Sequence, residues 1–145
     1  METDRTLTVT VWRGGTEGEF QRYQVPAREN QTVLDVVTHI QRELDPSLAY
    51  RFACRVGMCG SCAMTVNGRA RWTCRTHVKK VVGEDGTLEL KPLSNLPVIR
   101  DLATDMAPFF DKWAKARGTF QPKDAPDGAV PAEFHVVPPA SKKRQ

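Results

Sequence analysis

The 145-residue chain has no cysteine before residue 54 or after residue 74, and no aspartate or glutamate between Pro46 and Gly83. The first absence confines all thiol chemistry to one short stretch. The second leaves that stretch purely cationic, holding Arg51, Arg55, Arg69, Arg71, Arg75, Lys79 and Lys80. No apolar run is long enough to cross a bilayer, and the opening segment Met1–Gly15 lacks the apolar core of a secretory leader. These absences predict a cytoplasmic chain without direct membrane insertion. In such a reducing compartment, clustered cysteines bind metal or do redox work more often than they form lasting disulfides. The basic stretch carries neither a nucleic-acid-binding motif nor an interleaved aromatic platform, so no nucleic-acid partner is expected. Repeats are absent too, and a hydrophobic fraction of 40% with 26% charged residues is ordinary for one globular unit plus a tail.

Local patterns supply the elements. Leu7, Val9 and Val11 alternate with Thr8, Thr10 and Trp12 as in a half-buried strand, Gly14, Gly15 and Gly18 suit a turn, and Glu19–Val25 reads as the returning strand. Asn30 or Thr32 can cap a helix whose apolar positions Val33, Leu34, Val36, Val37, Ile40 and Leu44 recur until Asp45-Pro46 stops it. His39 lies on that helix, where a surface or capping role is expected for it. Cys62–Val66 and Arg69–Cys74 flank Asn67-Gly68, a strong hairpin signal. Leu88–Leu90 adds a short strand.

A strand-strand-helix order followed by further strands predicts an α+β fold of the β-grasp, ferredoxin-like kind over residues 1–102. Leu102, Met106, Phe109, Phe110 and Trp113 form a stripe at helical spacing, so a carboxy-terminal helix is expected over 103–117. Pro108 fits that helix if it starts near Thr104, which puts the proline in the first turn, or if the axis kinks there. Pro122, Pro126, Pro131, Pro138 and Pro139 mark 118–145 as an extended Pro-rich tail, with His135 and Lys142-Lys143-Arg144 solvated in it.

The cysteines follow the spacing Cys54-x4-Cys59-x2-Cys62-x11-Cys74. Its first three members reproduce the Cys-x4-Cys-x2-Cys run with which plant-type ferredoxins hold a [2Fe-2S] cluster. Such a core needs two thiolates on each iron. A tight loop can wrap it while offering the backbone N–H groups of Arg55–Ser61 to sulfur, and Gly57 and Gly60 permit the positive φ values that a close wrap requires. An Asn67-Gly68 turn of two residues places Cys74 opposite Ser61, and a loop one residue longer places it opposite Cys62. In the first register the pleat aims Cys62 and Cys74 to opposite faces, so the ladder should be irregular there. Two other readings stay open: a tetrathiolate zinc site stabilising an interaction module, although only Cys59 and Cys62 have the ribbon spacing, and a Cys62–Cys74 disulfide. If a cluster is bound, cations around the dianionic oxidised centre favour reduction and raise its potential. No catalytic acid, base or nucleophile is evident.

The run Cys54-Arg55-Val56-Gly57-Met58-Cys59-Gly60-Ser61-Cys62-Ala63-Met64, with Asn67-Gly68 and Cys74, resembles the amino-terminal ferredoxin domain of succinate dehydrogenase and fumarate reductase iron-sulfur subunits. Pro92-Leu93, Val98-Ile99-Arg100-Asp101-Leu102 and the aromatic helix are similar to the segment after the cluster domain in that family, while Trp72-Thr73 departs from its small and aliphatic residues. The resemblance implies that Cys54, Cys59, Cys62 and Cys74 ligate a [2Fe-2S] cluster. That cluster would take electrons from the flavin of an FAD-containing flavoprotein subunit, with Arg51, Arg55 and Arg75 as candidate contacts. It also implies a second iron-sulfur or a membrane-anchor subunit, which would hold the chain at the inner face of the plasma membrane. Family members continue into a helical domain with further clusters, and Val136–Ser141 is similar to the linker ahead of it. The expectation is a truncated subunit, an isolated domain or half of a split system. The competing expectation is a free-standing ferredoxin serving another reductase or oxygenase, against which the short x11 gap argues.

Overall fold

The computed structural model describes residues 5–119, so most of the Pro-rich tail, with His135 and the basic terminus, lies outside the described residues. The chain separates into two compact units, Met1–Phe109 and Phe110–Gln145. In the first, β1 (Thr6–Gly14) and β2 (Gly18–Pro26) form the expected antiparallel hairpin, paired from Thr6–Pro26 to Gly14–Gly18. Helix α1 (Val33–His39) comes next, then β3 (Ala63–Val66), β4 (Arg69–Trp72), β5 (Thr87–Lys91), β6 (Val98–Arg100) and β7 (Ala103–Thr104). The five-stranded mixed sheet runs β2-β1-β5-β3-β4, with β1 and β5 parallel and the other neighbours antiparallel, and β6 and β7 form a separate ribbon. This is the α+β, β-grasp arrangement.

Alternation decides which face is covered. Leu7, Val9 and Val11 of β1, Met64 and Val66 of β3, and Leu88 and Leu90 of β5 are all buried, and Val33, Val36 and Val37 of α1, with Ile40 just after it, close over them. Thr32 caps α1 through a capping box, accepting from the Asp35 N–H while the Asp35 carboxylate accepts from the Thr32 N–H. The helical turns end at Asp45, as expected. A turn of π geometry, Ile40–Leu44, continues α1, and the Asp45 N–H donates to the Ile40 carbonyl at 2.7 Å. Leu44 is left exposed by that turn instead of joining the core stripe.

The β6–β7 ribbon was not foreseen, and it corrects the aromatic stripe. Leu102 lies between these strands, buried in the core of the first unit. The helix α2 begins later than Thr104, spanning Ala107–Lys115, with Pro108 in the first turn and the Asp105 carboxylate accepting from the Ala107 N–H. No residue of α2 is buried, and within the second unit the Phe110 and Trp113 rings lie 6.0 Å apart. Among the described residues no helix is long and apolar enough to cross a membrane.

One polar network ties distant segments of the first unit. Asp101 is buried, and its carboxylate accepts from the Gly14 N–H and the Ala49 N–H, each at 2.8 Å, and pairs with Arg13 Nε at 3.1 Å. Arg13 also donates to Asp45, which accepts from Tyr23 Oη as well. A single carboxylate thus joins the end of β1, the loop leading to the cysteines and the β6–β7 turn.

Candidate metal centre

The hairpin adopts the strict two-residue turn: Val66 faces Arg69 and Ala63 faces Trp72. Asn67 and Gly68 both have positive φ, 44° and 80°, as a turn twisted to match the strands requires. Extending that ladder by two pairs would set Cys74 against Ser61, with Cys62 and Cys74 on opposite faces. The expected irregularity is what occurs. Pairing ends at Ala63–Trp72, and Thr73, fully buried, turns its hydroxyl to donate to the Cys62 carbonyl at 2.8 Å. The segment after it is sewn to the start of α1: the Leu34 N–H donates to the Thr73 carbonyl, the Val33 N–H to Thr76 and the Val78 N–H to Gln31. Cys62 and Cys74 therefore end side by side, buried against Leu34, with Tyr50 packed on the group.

The other two thiols sit on the loop. Arg55, Gly57 and Gly60 all have positive φ, at 59°, 77° and 70°, so the wrap uses the two glycines as expected and one arginine that was not. The result turns the loop's N–H groups inward: Val56, Met58 and Cys59 donate to Cys54 Sγ at 3.5, 3.3 and 3.3 Å. Ser61 Oγ lies 3.0 Å from Cys59 Sγ. The Cys59, Val56 and Met58 amides hold the Cys54 thiol below its usual range, and the Ser61 hydroxyl is the largest influence pulling Cys59 down to about 6. Burial pushes the Cys74 thiol up, with the neighbouring Cys62 acting in the same direction, while the Gly57 N–H opposes both.

All four thiols are free, and they fall into two groups: Cys62 and Cys74 share the buried cluster with Leu34, while Cys54, which accepts from the Cys59 N–H, and Cys59 sit on the loop. Among the described residues no three histidine, cysteine, aspartate or glutamate side chains are gathered as a single ion needs. A mononuclear zinc tetrathiolate draws four sulfurs to one point, whereas a two-iron core takes two per iron. Two adjacent thiol pairs, one under a fan of N–H donors, suit the second chemistry.

The cations divide into two sets. Arg55 lies over the Phe52 ring at 4.8 Å, Phe52 stacks on Tyr50 at 5.7 Å, and the Arg75 side chain lies against Gly57. Arg51 donates to the Thr104 carbonyl at 2.6 Å. By contrast, Arg69 sits at the turn end of β4, and Lys79 lines an 880 Å³ groove with Arg5, Glu84 and Asp85, away from the cysteines. Arg55 and Arg75 thus lie at the loop, beside exposed Phe52, Val56, Met58 and Trp72. Of Trp72-Thr73, the pair that departs from the family's small and aliphatic residues, Trp72 is 56% exposed and Thr73 is buried. The Ser61 hydroxyl and the Tyr50–Phe52 stack were missed, although a lone hydroxyl two residues after Cys59 was a usable signal.

A β-grasp sheet presenting a glycine-rich loop with three thiols, and a fourth delivered by the hairpin after it, defines a [2Fe-2S] ferredoxin domain. The sequence profile described as "2Fe-2S iron-sulfur cluster binding domain" matches residues 7–111, and the chain belongs to that family, whose cofactor is the [2Fe-2S] cluster. It is 41% identical over 93 residues to a fumarate reductase iron-sulfur subunit of Mycobacterium tuberculosis, covering 64% of this chain and 37% of that one. It is 39% identical over 127 residues to the mitochondrial succinate dehydrogenase [ubiquinone] iron-sulfur subunit 1 of Oryza sativa, covering 83% of this chain and 44% of that one. A chain of the Mycobacterium smegmatis Sdh1 complex in its apo form superposes with a TM-score of 0.74 at 35% identity, over 93% of this chain and 55% of that one. The chain therefore corresponds to the amino-terminal part of such subunits and spans less than half the length of these two curated relatives.

Proposed function

We propose that Cys54, Cys59, Cys62 and Cys74 hold the [2Fe-2S] cluster, Cys54 with Cys59 on one iron and Cys62 with Cys74 on the other. On this reading the domain relays electrons between an FAD-containing flavoprotein subunit and further redox centres of a succinate dehydrogenase or fumarate reductase complex. The observation that carries this is the gathering of the thiols in two groups, Cys62 and Cys74 in one buried cluster and Cys54 and Cys59 on a loop whose Val56, Met58 and Cys59 amides donate to Cys54 Sγ. When bound, the cluster accepts and returns one electron at a time. The chain's own residues do the rest: the loop amides and Ser61 stabilise thiolate charge, and Leu34, Tyr50 and Thr73 keep the Cys62–Cys74 side dry. Exposed Phe52, Val56, Met58 and Trp72, rimmed by Arg55 and Arg75, offer the partner an apolar contact with a cationic edge.

In this reading residues 1–102 form the ferredoxin domain, 103–117 a helix that packs on that domain or on a partner, and 118–145 a Pro-rich linker or tail. The protein works in the cytoplasm, at the inner face of the plasma membrane, where a second iron-sulfur or membrane-anchor subunit holds it. The test is anaerobic purification of the tagged full chain from its own host at low salt. A flavin-containing partner should co-purify, dissociate as salt rises, and reduce the cluster when succinate is added. A cluster-loaded chain that brings down no flavoprotein, or one that succinate leaves oxidised while dithionite reduces it, would instead favour a ferredoxin serving another enzyme.

A further inference from the structure

The cysteine spacing asks only that two residues separate Cys59 from Cys62, and it places no demand on their side chains. One of them is Ser61, whose Oγ lies 3.0 Å from Cys59 Sγ. Both residues are exposed, on the side of the site away from Leu34 and Tyr50. Ser61 sits just past Gly60, and the Ala63 N–H donates back to the Gly60 carbonyl at 3.0 Å, so the hydroxyl is carried on a closed turn. Toward a thiolate the hydroxyl can only donate.

We propose that Ser61 is a positioning residue for the Cys59 thiolate and that its hydroxyl raises the reduction potential of the bound cluster. The inference rests on the reading of the four cysteines as ligands. Reduction adds one electron to a core carried by four thiolates, taking the whole from two negative charges to three, and part of that charge appears on the ligand sulfurs. A donor fixed at 3.0 Å interacts more strongly with the more negative sulfur, so it favours the reduced form. Water competes at an exposed sulfur, which keeps the effect below that of a buried charged hydrogen bond. The expected change is roughly three- to tenfold in the one-electron reduction equilibrium, the upper figure being about 59 mV.

The test compares the full chain with Ser61→Ala, Ser61→Gly and Ser61→Thr, all prepared anaerobically and titrated with dithionite while the EPR signal is monitored. Ser61→Ala and Ser61→Gly should reduce at lower potential by that factor, and Ser61→Thr, which restores a hydroxyl, should stay near the parent. An unmoved potential in Ser61→Ala with the cluster intact overturns the proposal while leaving the ligand assignment standing. So does a shift in Ser61→Thr as large as in Ser61→Ala, because shape and not the hydroxyl would then matter. Loss of iron from both hydroxyl-free variants also overturns it, since Ser61 would then build the site rather than tune it. A parent chain that takes up no iron sinks both readings.

Discussion

Gly57 and Gly60 share a left-handed backbone, at φ of 77° and 70°, yet their surroundings differ. A Cβ on Gly57 would stand 3.0 Å from Arg75 Cγ and 3.6 Å from Trp72 Cε3, whereas one on Gly60 would meet nothing within 4 Å. Replacing Gly60 by alanine therefore costs backbone strain alone, about 1–2 kcal/mol. Replacing Gly57 adds a crowded contact and disturbs the loop whose amides face Cys54. Gly60→Ala should retain most of its cluster, and Gly57→Ala should lose a larger share under identical purification, measured as iron per chain. Equal retention in the two variants would show that packing at Gly57 is irrelevant. Arg55 makes the complementary point, since at φ of 59° it accepts a conformation that glycine takes more cheaply. What it adds is a guanidinium over the Phe52 ring.

Among the elements, the β3–β4 hairpin shows what a motif leaves undecided. Asn67-Gly68 announces a turn, but two registers were open, and long-range bonds select between them. Asn67 Nδ2 donates to the Val81 carbonyl at 2.6 Å, and Asn67 Oδ1 accepts from the Glu89 N–H at 2.7 Å, locking the turn to β5. The end of α1 makes a second case. Asp45 was legible as a helix stop, but its carboxylate also accepts from Ser47, Arg13 and Tyr23, which together hold it well below the usual carboxylate range. A depressed folded-state value means that this group contributes stability above the unfolded value, near 4 for aspartate, and loses it as pH falls toward the folded one. Denaturant midpoints should therefore drop as pH is lowered below about 4, and Asp45→Asn should make that drop shallower while lowering the midpoint at neutral pH. An Asp45→Asn variant with the parent's acid profile would show that the network contributes nothing to the pH response.

For the molecule as a whole, the sheet and the cysteine cluster were legible because their signals are local: period-two alternation in β1, helical spacing in α1, and three cysteines within nine residues. The β6–β7 ribbon and Asp101 were not. Asp101 satisfies Gly14 and Ala49, separated from it by 87 and 52 positions, and no pattern within a window of sequence encodes such a bond. Charge was half legible, since counting arginines found the patch but not which of them lie at the loop. The two sulfur pairs, one exposed under backbone donors and one buried beside Leu34, are where these contributions meet.

The most direct measurement is chemical: iron and acid-labile sulfide per chain in the full-length protein purified anaerobically, with its EPR spectrum before and after dithionite. Two irons and two sulfides, silent when oxidised and paramagnetic after uptake of one electron, are the predicted result. Zinc in place of iron, or a chain that remains colourless and sulfide-free after anaerobic reconstitution, would contradict the account.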